Sequence, residues 1–384
     1  MNTTIHPSTL SGSIRVPPSK SLLHRGLFCA ALAGDLSLCE LPADADLSDD
    51  IRVTLDCMKK FLAGESDFFC GESGTTLRLL IPVAAAKFQH ARFTGAGRLP
   101  QRPLAEYRDA FANHGVTCGA ALPLETRGRL APGIFHLPGN VSSQYISGLL
   151  LALPLLDGDS EIVLTSPLES APYVEMTRDV MRHFGVEIEN LRVRGKQRYL
   201  ATKPYVAEPD FSQAAFWQLA QFLGHDITLE NLPQKTSQGD AVFSSLLTAR
   251  EDARPPFEFD VSQIPDLVPA LAAAASFANG ETRLVNAARL RLKESDRIAS
   301  TCEMLRAFGV EVASDEDSLT VYGRAGRVYN SCVVDSHRDH RIVMAAAMLA
   351  TRADGPVKIF GSDAVAKSYP TFFDHFKNVG GICS

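Results

Sequence analysis

The chain repeats one pattern six times, and that repetition limits its fold more than any single motif does. Each copy opens with polar residues, runs on as an Ala/Leu-rich helical stretch, and passes into a segment that alternates polar and apolar residues. The copies begin near Ser19, Ser73, Ser142, Phe211, Pro265 and Asp339. Five of them close at or near a glycine (Gly34, Gly158, Gly224, Gly280, Gly355), as a left-handed helix C-cap requires. The segments that follow, DLSLCEL, HARFTG, SEIVLTS, HDITLEN, ETRLVN and PVKIFG, read as half-buried strands. A second helix comes after each strand. Three of these second helices end in nearly the same words: FANHGVTC, MRHFGVEIEN and LRAFGVEV.

At about 50 to 75 residues, the repeating unit is too long and irregular for a solenoid, whose units run about 20–50 residues. A chain of 384 residues also exceeds what one hydrophobic core usually holds. The expectation is an α/β protein of two globular domains, three units in each. The last unit stops at Gly380-Gly381-Ile382-Cys383 with no closing strands, while GSIRV stands as an orphan strand ahead of the first unit. The N-terminal segment is therefore expected to complete the C-terminal half. One domain would comprise residues 1–17 plus 208–384 and the other residues 18–207, with crossovers near 17–18 and 204–209. Prolines stand at both crossovers and favour extended connections. Pro82, inside the helix of the second unit, predicts a kink.

A net charge of −6 argues against a general nucleic-acid or anionic-membrane surface, yet leaves room for a local cationic pocket. No apolar run is long enough to span a membrane. The eight cysteines form no CxxC pair and follow no signal peptide, so reduced thiols in the cytoplasm are expected, with no metal framework.

The candidate chemistry lies at the polar starts. The first, SKSLLHR, brings Lys20, Ser21 and Arg25 to the beginning of a helix, where unpaired backbone N–H groups already favour an anion. The second, GESGTTLR, supplies Gly74 and Arg78, and the third supplies Ser142, Ser143 and Gln144. Nearby turns add Arg98 and Arg102 (GRLPQRP), Lys293, Glu294 and Arg297 (LKESDR), Arg341 (DHR) and Lys367 (VAKSYP). Taken singly, each is an ordinary cap or solvated ion pair. Six caps that carry cations so consistently point instead to a ligand with several negative charges. Of the ten histidines, only His340 is placed near such a site.

PPSKSLLHR, SGTTLR, QRP, SSQ, SAPY, IPD, LKESDR, DHR and AKSYP, in this order over nearly the whole chain, resemble the 5-enolpyruvylshikimate-3-phosphate synthase family, the 3-phosphoshikimate 1-carboxyvinyltransferases. The resemblance implies a two-domain inverse α/β barrel of six βαβαββ units that closes over its substrates. It also implies transfer of the enolpyruvyl group of phosphoenolpyruvate to the 5-hydroxyl of shikimate 3-phosphate, by a monomer, with neither cofactor nor metal. By the same resemblance, Lys20 lies between the two substrates, and Ser21, Arg25 and Tyr173 hold the shikimate ring and its carboxylate. Ser142, Ser143, Ser170 and Lys293 take the 3-phosphate region, and Gln144 touches both ligands. Gly74, Arg102, Arg297, Arg341 and Lys367 bind phosphoenolpyruvate. Asp266 is the implied base at the 5-hydroxyl, and Glu294 the implied acid at the methylene carbon, with Lys20 or Lys367 assisting.

The charge count agrees. Each substrate carries a carboxylate and a phosphate worth about −1.5 to −2, together about −5 to −6, and the seven lysines and arginines of this set can balance them. Some positions depart from the family pattern. Glu72 and Arg289 stand where Asn is frequent, and so does Arg338; Arg78 is the candidate partner of Glu72. Two other readings compete. UDP-N-acetylglucosamine enolpyruvyl transferases have an Ala-Lys-Asn start and usually a reactive Cys in the loop that is TGAGRLPQRP here, which has none. A non-catalytic phosphate-binding protein would gain nothing from placing Asp266 and Glu294 among the cations.

Overall fold

The computed structural model describes residues 1–252 and 256–384. The chain divides into two compact units. The N-half unit comprises Pro18–Pro42 and Asp49–Glu208; the C-half unit comprises Met1–Pro17, Ala43–Ser48 and Pro209–Ser384. The short piece Ala43–Ser48 thus falls with the C-half unit, where Thr371 donates to Asp46 at 2.8 Å.

In the N-half unit the helices are α1 (Lys20–Leu32), α2 (Asp49–Ala63), α3 (Gly74–Lys87), α4 (Ala105–Phe111), α5 (Ser143–Ala152) and α6 (Ala171–His183). Helices α1, α3 and α5 are apolar almost all round and are buried along most of their length, as helices of that composition must be. Helix α3 packs against both α1 and α5. Two four-stranded sheets cover them, each with one parallel pair and two antiparallel ones. The first runs Asp67–Phe69, His90–Thr94, Leu124–Gly128, Val116–Cys118; the second runs Ile134–Leu137, Ser160–Leu164, Arg192–Val193, Ile188–Glu189. Their strands bury alternate residues, so helices form the inside and sheets the outside.

Pro82 sits within α3 and has no N–H to offer the Arg78 carbonyl four residues earlier. That carbonyl is not left bare, because the Tyr107 hydroxyl donates to it at 2.7 Å. Gly148 on α5 makes the approach possible: a Cβ there would overlap both the Arg78 carbonyl and the Tyr107 hydroxyl.

The C-half unit repeats the plan with α7 (Phe211–Phe222), α8 (Phe243–Asp252), α9 (Val268–Phe277), α10 (Arg297–Ala307), α11 (His340–Ala350) and α12 (Phe372–Asn378). Helices α7, α9 and α11 pack on one another at the centre of its core. One sheet runs Phe257–Asp260, Gly280–Val285, Leu319–Gly323, Glu311–Ser314. In the other, Val333–Asp335 and Val357–Phe360 form the parallel pair, and the two antiparallel places are filled by Asn2–His6 and Ile382–Cys383. Ser11–Ile14 pairs in parallel with Asp226–Leu229.

Three expectations need correction. Ile382–Cys383 does form a closing strand, and Asn2–His6 is a strand the sequence did not announce. DLSLCEL is not a strand: the Asp35 carboxylate accepts from Ser37 N at 2.9 Å, which starts a 3₁₀ turn over Leu36–Leu38, and only a single bridge from Cys39 to Tyr205 remains. Of the five closing glycines, Gly34, Gly224 and Gly280 are left-handed, whereas Gly158 and Gly355 are not.

Candidate active site

Within the N-half unit the starts of α1, α3 and α5 carry the polar groups. Helix α1 begins when the Ser19 carbonyl accepts from Leu22 N and Leu23 N, and Ser19 N is tied to the Glu208 carbonyl at 2.7 Å. Lys20, in the first turn, pairs with Asp50 at 2.8 Å, both side chains being mostly buried. Asp50 heads α2, and no motif in the sequence marked it as Lys20's partner.

Arg25, expected at a substrate carboxylate, is 1% exposed. Its Nε donates to Thr177 Oγ1 at 2.7 Å, Nη1 to the Ser21 carbonyl at 2.7 Å, and Nη2 to the Tyr173 carbonyl at 2.9 Å. Burial pulls its pKa down to about 10, only partly offset by Tyr173 and Tyr205. In this geometry Arg25 braces the wall that holds Ser21 and Tyr173.

Ser73 caps α3 by accepting from Thr76 N at 3.2 Å. Gly74, the first residue of the helix, has no side chain for a physical reason: a Cβ would overlap Arg102 Nη1 and lie 3.1 Å from Arg78 Nη1. Two guanidinium groups therefore lie against the start of α3. Gln144 joins this helix to α5, donating to Thr75 Oγ1 at 2.8 Å and accepting from Arg78 Nη1 at 2.9 Å. Ser142 caps α5, Ser143 is buried in its first turn, and Ser170 precedes α6 with a left-handed backbone (φ 54°). A serine held in that region is strained, which is a common property of ligand-contacting turns. Arg78 donates to Gln144 Oε1 and to the Pro103 carbonyl, whereas Glu72 lies against Gly97.

The C-half unit is built differently. Arg297, 1% exposed at the start of α10, holds three carboxylates at once: Nε with Asp339 at 2.9 Å, Nη1 with Asp266 at 2.9 Å and Nη2 with Glu294 at 2.6 Å. Arg341 contacts Asp266 from the other side at 3.0 Å, and Lys293 lies 3.6 Å from it. Asp339 caps α11 by accepting from Arg341 N and also accepts from Ser295 Oγ at 3.1 Å. Arg297 was expected to bind phosphoenolpyruvate; here its guanidinium is occupied by acids, and it fixes where Asp266 and Glu294 stand.

The electrostatics follow from this crowding. Burial works against the Asp266 carboxylate, but Arg341, Lys293 and Arg297 outweigh it and hold its pKa well below the usual range. Burial, helped by Arg297 and Arg289, brings Lys293 down to about 8 despite Asp266. Arg289 donates to the Ser262 carbonyl in the loop leading to Asp266. Asp240, not singled out from sequence, is buried with Oδ2 on Ser212 Oγ; burial and the nearby Asp266 push it up to about 7. His340 is buried beside Asp339, and Lys367 closes a 3₁₀ turn, Ser362–Lys367, whose following residue is held through the Ser368 carbonyl by Gln213 at 2.7 Å. Arg338 has φ 56°, a conformation Asn tolerates better than Arg.

The profile of the family described as EPSP synthase (3-phosphoshikimate 1-carboxyvinyltransferase) matches residues 46–376. The 3-phosphoshikimate 1-carboxyvinyltransferase of Clostridium acetobutylicum is 40% identical over 420 residues, covering 98% of this chain and 97% of the relative. That of Clostridium kluyveri is 38% identical with the same coverage. Among solved structures, the EPSP synthase of Acinetobacter baumannii matches with a TM-score of 0.77 at 24% identity, over 100% of this chain and 99% of that one. The enolpyruvyl transferase NikO of Streptomyces tendae matches with a TM-score of 0.76 at 17% identity, over 100% and 98%. These likenesses establish the fold as the two-domain inverse α/β barrel. A profile match over most of the sequence, and relatives close to 40% identical along nearly all of it, show that the chain belongs to the EPSP synthase family.

Proposed function

We propose that this chain transfers the enolpyruvyl group of phosphoenolpyruvate to the 5-hydroxyl of shikimate 3-phosphate and releases phosphate, a step of the shikimate pathway. The observation that carries the reading is the placement of Asp266 and Glu294 on one buried guanidinium, Arg297, among cations. Anion binding alone is weakened by such acids, whereas acid–base chemistry needs them.

In the addition step Asp266 takes the 5-hydroxyl proton as the oxygen attacks C2 of phosphoenolpyruvate, while Glu294, which enters this step protonated, delivers its proton to C3. In the elimination step the Glu294 carboxylate takes a proton back from C3, the C2–O bond to phosphate breaks with its electron pair on the phosphate oxygen, which accepts the proton held by Asp266, and the C2–C3 double bond re-forms. A carboxylate held as low as Asp266 is a poor base. Its basicity rises when Arg341 and Lys293 turn from it toward the anionic substrates, so substrate charge itself prepares the base. Lys20, Gly74, Arg102, Arg341 and Lys367 are the proposed surroundings of phosphoenolpyruvate. Ser21, Ser142, Ser143, Gln144, Ser170, Tyr173 and Lys293 are those of shikimate 3-phosphate, with Arg25 and Arg297 bracing the two sets. A monomer in the cytoplasm is the setting we propose; among the described residues no helix is long and apolar enough to cross a membrane.

The test is phosphate release from phosphoenolpyruvate, assayed with shikimate 3-phosphate and separately with UDP-N-acetylglucosamine. Release with the first alone is expected. Release with the second moves the assignment to the other enolpyruvyl transferase, and release with neither leaves a binding protein.

A further inference from the structure

His24 takes no part in the reaction as described, yet it is wholly buried, and it lies one helical turn beyond Lys20 on α1. Thr54 lies one turn beyond Asp50 on α2. The two helices are thus joined by two rungs: Lys20 with Asp50 at 2.8 Å, and His24 Nδ1 with Thr54 Oγ1 at 2.8 Å. From Thr54 the chain of bonds continues to Thr76 Oγ1 at 2.6 Å, and Thr76 donates to Ser73 Oγ at 2.7 Å. Thr54, Thr76 and Ser73 are each at most 1% exposed. The chain therefore ends on the residue that caps α3, immediately before Gly74.

One arrangement of the protons satisfies every bond of the chain. Thr54 has one hydroxyl proton, and the Asp50 carbonyl at 3.0 Å can only accept it. With Thr76 giving its own proton to Ser73, the Thr54–Thr76 bond uses the Thr54 proton. In that arrangement none is left for the imidazole, and Nδ1 carries a proton and donates to Thr54. The other nitrogen, Nε2, is buried without a hydrogen-bond partner, which an unprotonated nitrogen tolerates better than an N–H. Burial, with Lys20 and Arg25 nearby, lowers the imidazole pKa to about 3 against the pull of Asp50 and keeps it neutral.

Resting on the reaction proposed above, we infer that neutral His24 is a positioning residue for the phosphoenolpyruvate half of the site. Its Nδ1–H anchors a buried relay that sets Lys20 on α1 and Gly74 on α3 against one another. The relay is separate from the Arg25 brace. Arg25, the next residue on α1, bonds to Thr177, Ser147 and the Tyr173 carbonyl on α5 and α6, on the shikimate 3-phosphate side.

This separation provides the test. The full-length enzyme is assayed for phosphate release as His24→Leu, His24→Asn and Thr54→Val, with KM measured for each substrate and melting temperatures recorded alongside. His24→Leu and Thr54→Val are expected to raise KM for phosphoenolpyruvate about tenfold and to lower kcat, while KM for shikimate 3-phosphate stays within about twofold. His24→Asn, whose amide can place an N–H where Nδ1–H stands, is expected to restore KM to within about threefold of the parent. Should His24→Leu not fold, Thr54→Val, nearly the same in shape, carries the test alone. Equal changes in both KM values, or a fall in melting temperature with neither KM altered, overturns the inference. A parent enzyme that turns over beside variants that fail to separate the two constants sinks this inference only; a parent that releases no phosphate sinks the proposed reaction and this inference with it.

Discussion

The charged residues of the two units are arranged by opposite rules. In the C-half unit, Arg297, Arg341 and Lys293 are bound to Asp266, Glu294 and Asp339, so each charge is compensated before any substrate arrives. In the N-half unit, Arg78 and Arg102 lie on the bare backbone of Gly74, serines cap the helices, and Lys20 with Asp50 is the ion pair at the start of α1. On the reaction proposed above, the first arrangement places acids where protons are to move, and the second gathers donors where the anions are to bind. The proposal thus assigns similar helix starts to catalysis or to binding according to whether acids crowd the cations.

The largest effect is expected at Asp266. Asp266→Asn keeps the shape and the contact with Arg297 but removes the base, so kcat falls about 10³-fold while shikimate 3-phosphate binding changes little. Calorimetric titration beside turnover measures both, and turnover near that of the parent would remove the base assignment. Arg297→Met tests the compensation itself. It strands buried carboxylates and is expected to destabilise the C-half unit by about 3–5 kcal/mol in urea unfolding. A stability close to the parent's would mean that these acids do not depend on one cation.

Acid separates the units next. His24 in the N-half unit is held neutral down to about pH 3 by burial, and His225 in the C-half unit to about 4 by burial and Arg352. Unfolded histidines take up protons below about 6.5, so each contribution to stability is lost as pH falls from there toward the folded value. Asp240 has the opposite sign: raised to about 7, it favours the folded C-half unit as pH falls from 7 toward 3.8. At pH 4.5 the N-half unit is therefore expected to have lost about 2–3 kcal/mol from His24, whereas in the C-half unit His225 and Asp240 nearly cancel. Amide exchange, corrected for intrinsic rates, should lose protection in α1–α3 before α7–α11. The reverse order would contradict these signs.

Smaller effects refine the same contrast. Gly74→Ala displaces the flexible end of Arg102 without disturbing packed backbone. We expect KM for phosphoenolpyruvate to rise about tenfold, equivalent to about 1.4 kcal/mol, with the melting temperature nearly unchanged. A large loss of stability would show that the glycine serves folding instead. Arg338→Asn relieves a left-handed arginine and is expected to stabilise the C-half unit by about 0.5–1 kcal/mol, read from thermal unfolding.

Much of this was legible in the sequence because it is periodic. The six apolar helices stand where the Ala/Leu runs lie, and five of the six alternating segments are strands, since side-chain period and burial are local properties. DLSLCEL failed because a side-chain bond from Asp35 offered the backbone a turn in place of a ladder, which alternation does not register. The cations of the site were recognisable at the helix starts, but their directions were not. Arg25 and Arg297 read as ligands of substrates; the structure buries both, with their guanidinium groups on neighbouring side chains and carbonyls. Asp50 and Asp240, each in the first turn of a helical segment, belong to no motif that singles them out in the sequence.

By itself, then, the sequence determined the repeat, the helices that must be buried, the strands that cover them, and the family. Only the tertiary structure decided which acid meets which cation. Lys20 and Asp50 are 30 positions apart, Arg297 and Asp266 31, and Arg297 and Asp339 42. Partners that far apart meet through helix packing, which leaves no periodic trace in either segment, and it is packing that sets whether a charge faces a substrate or another side chain.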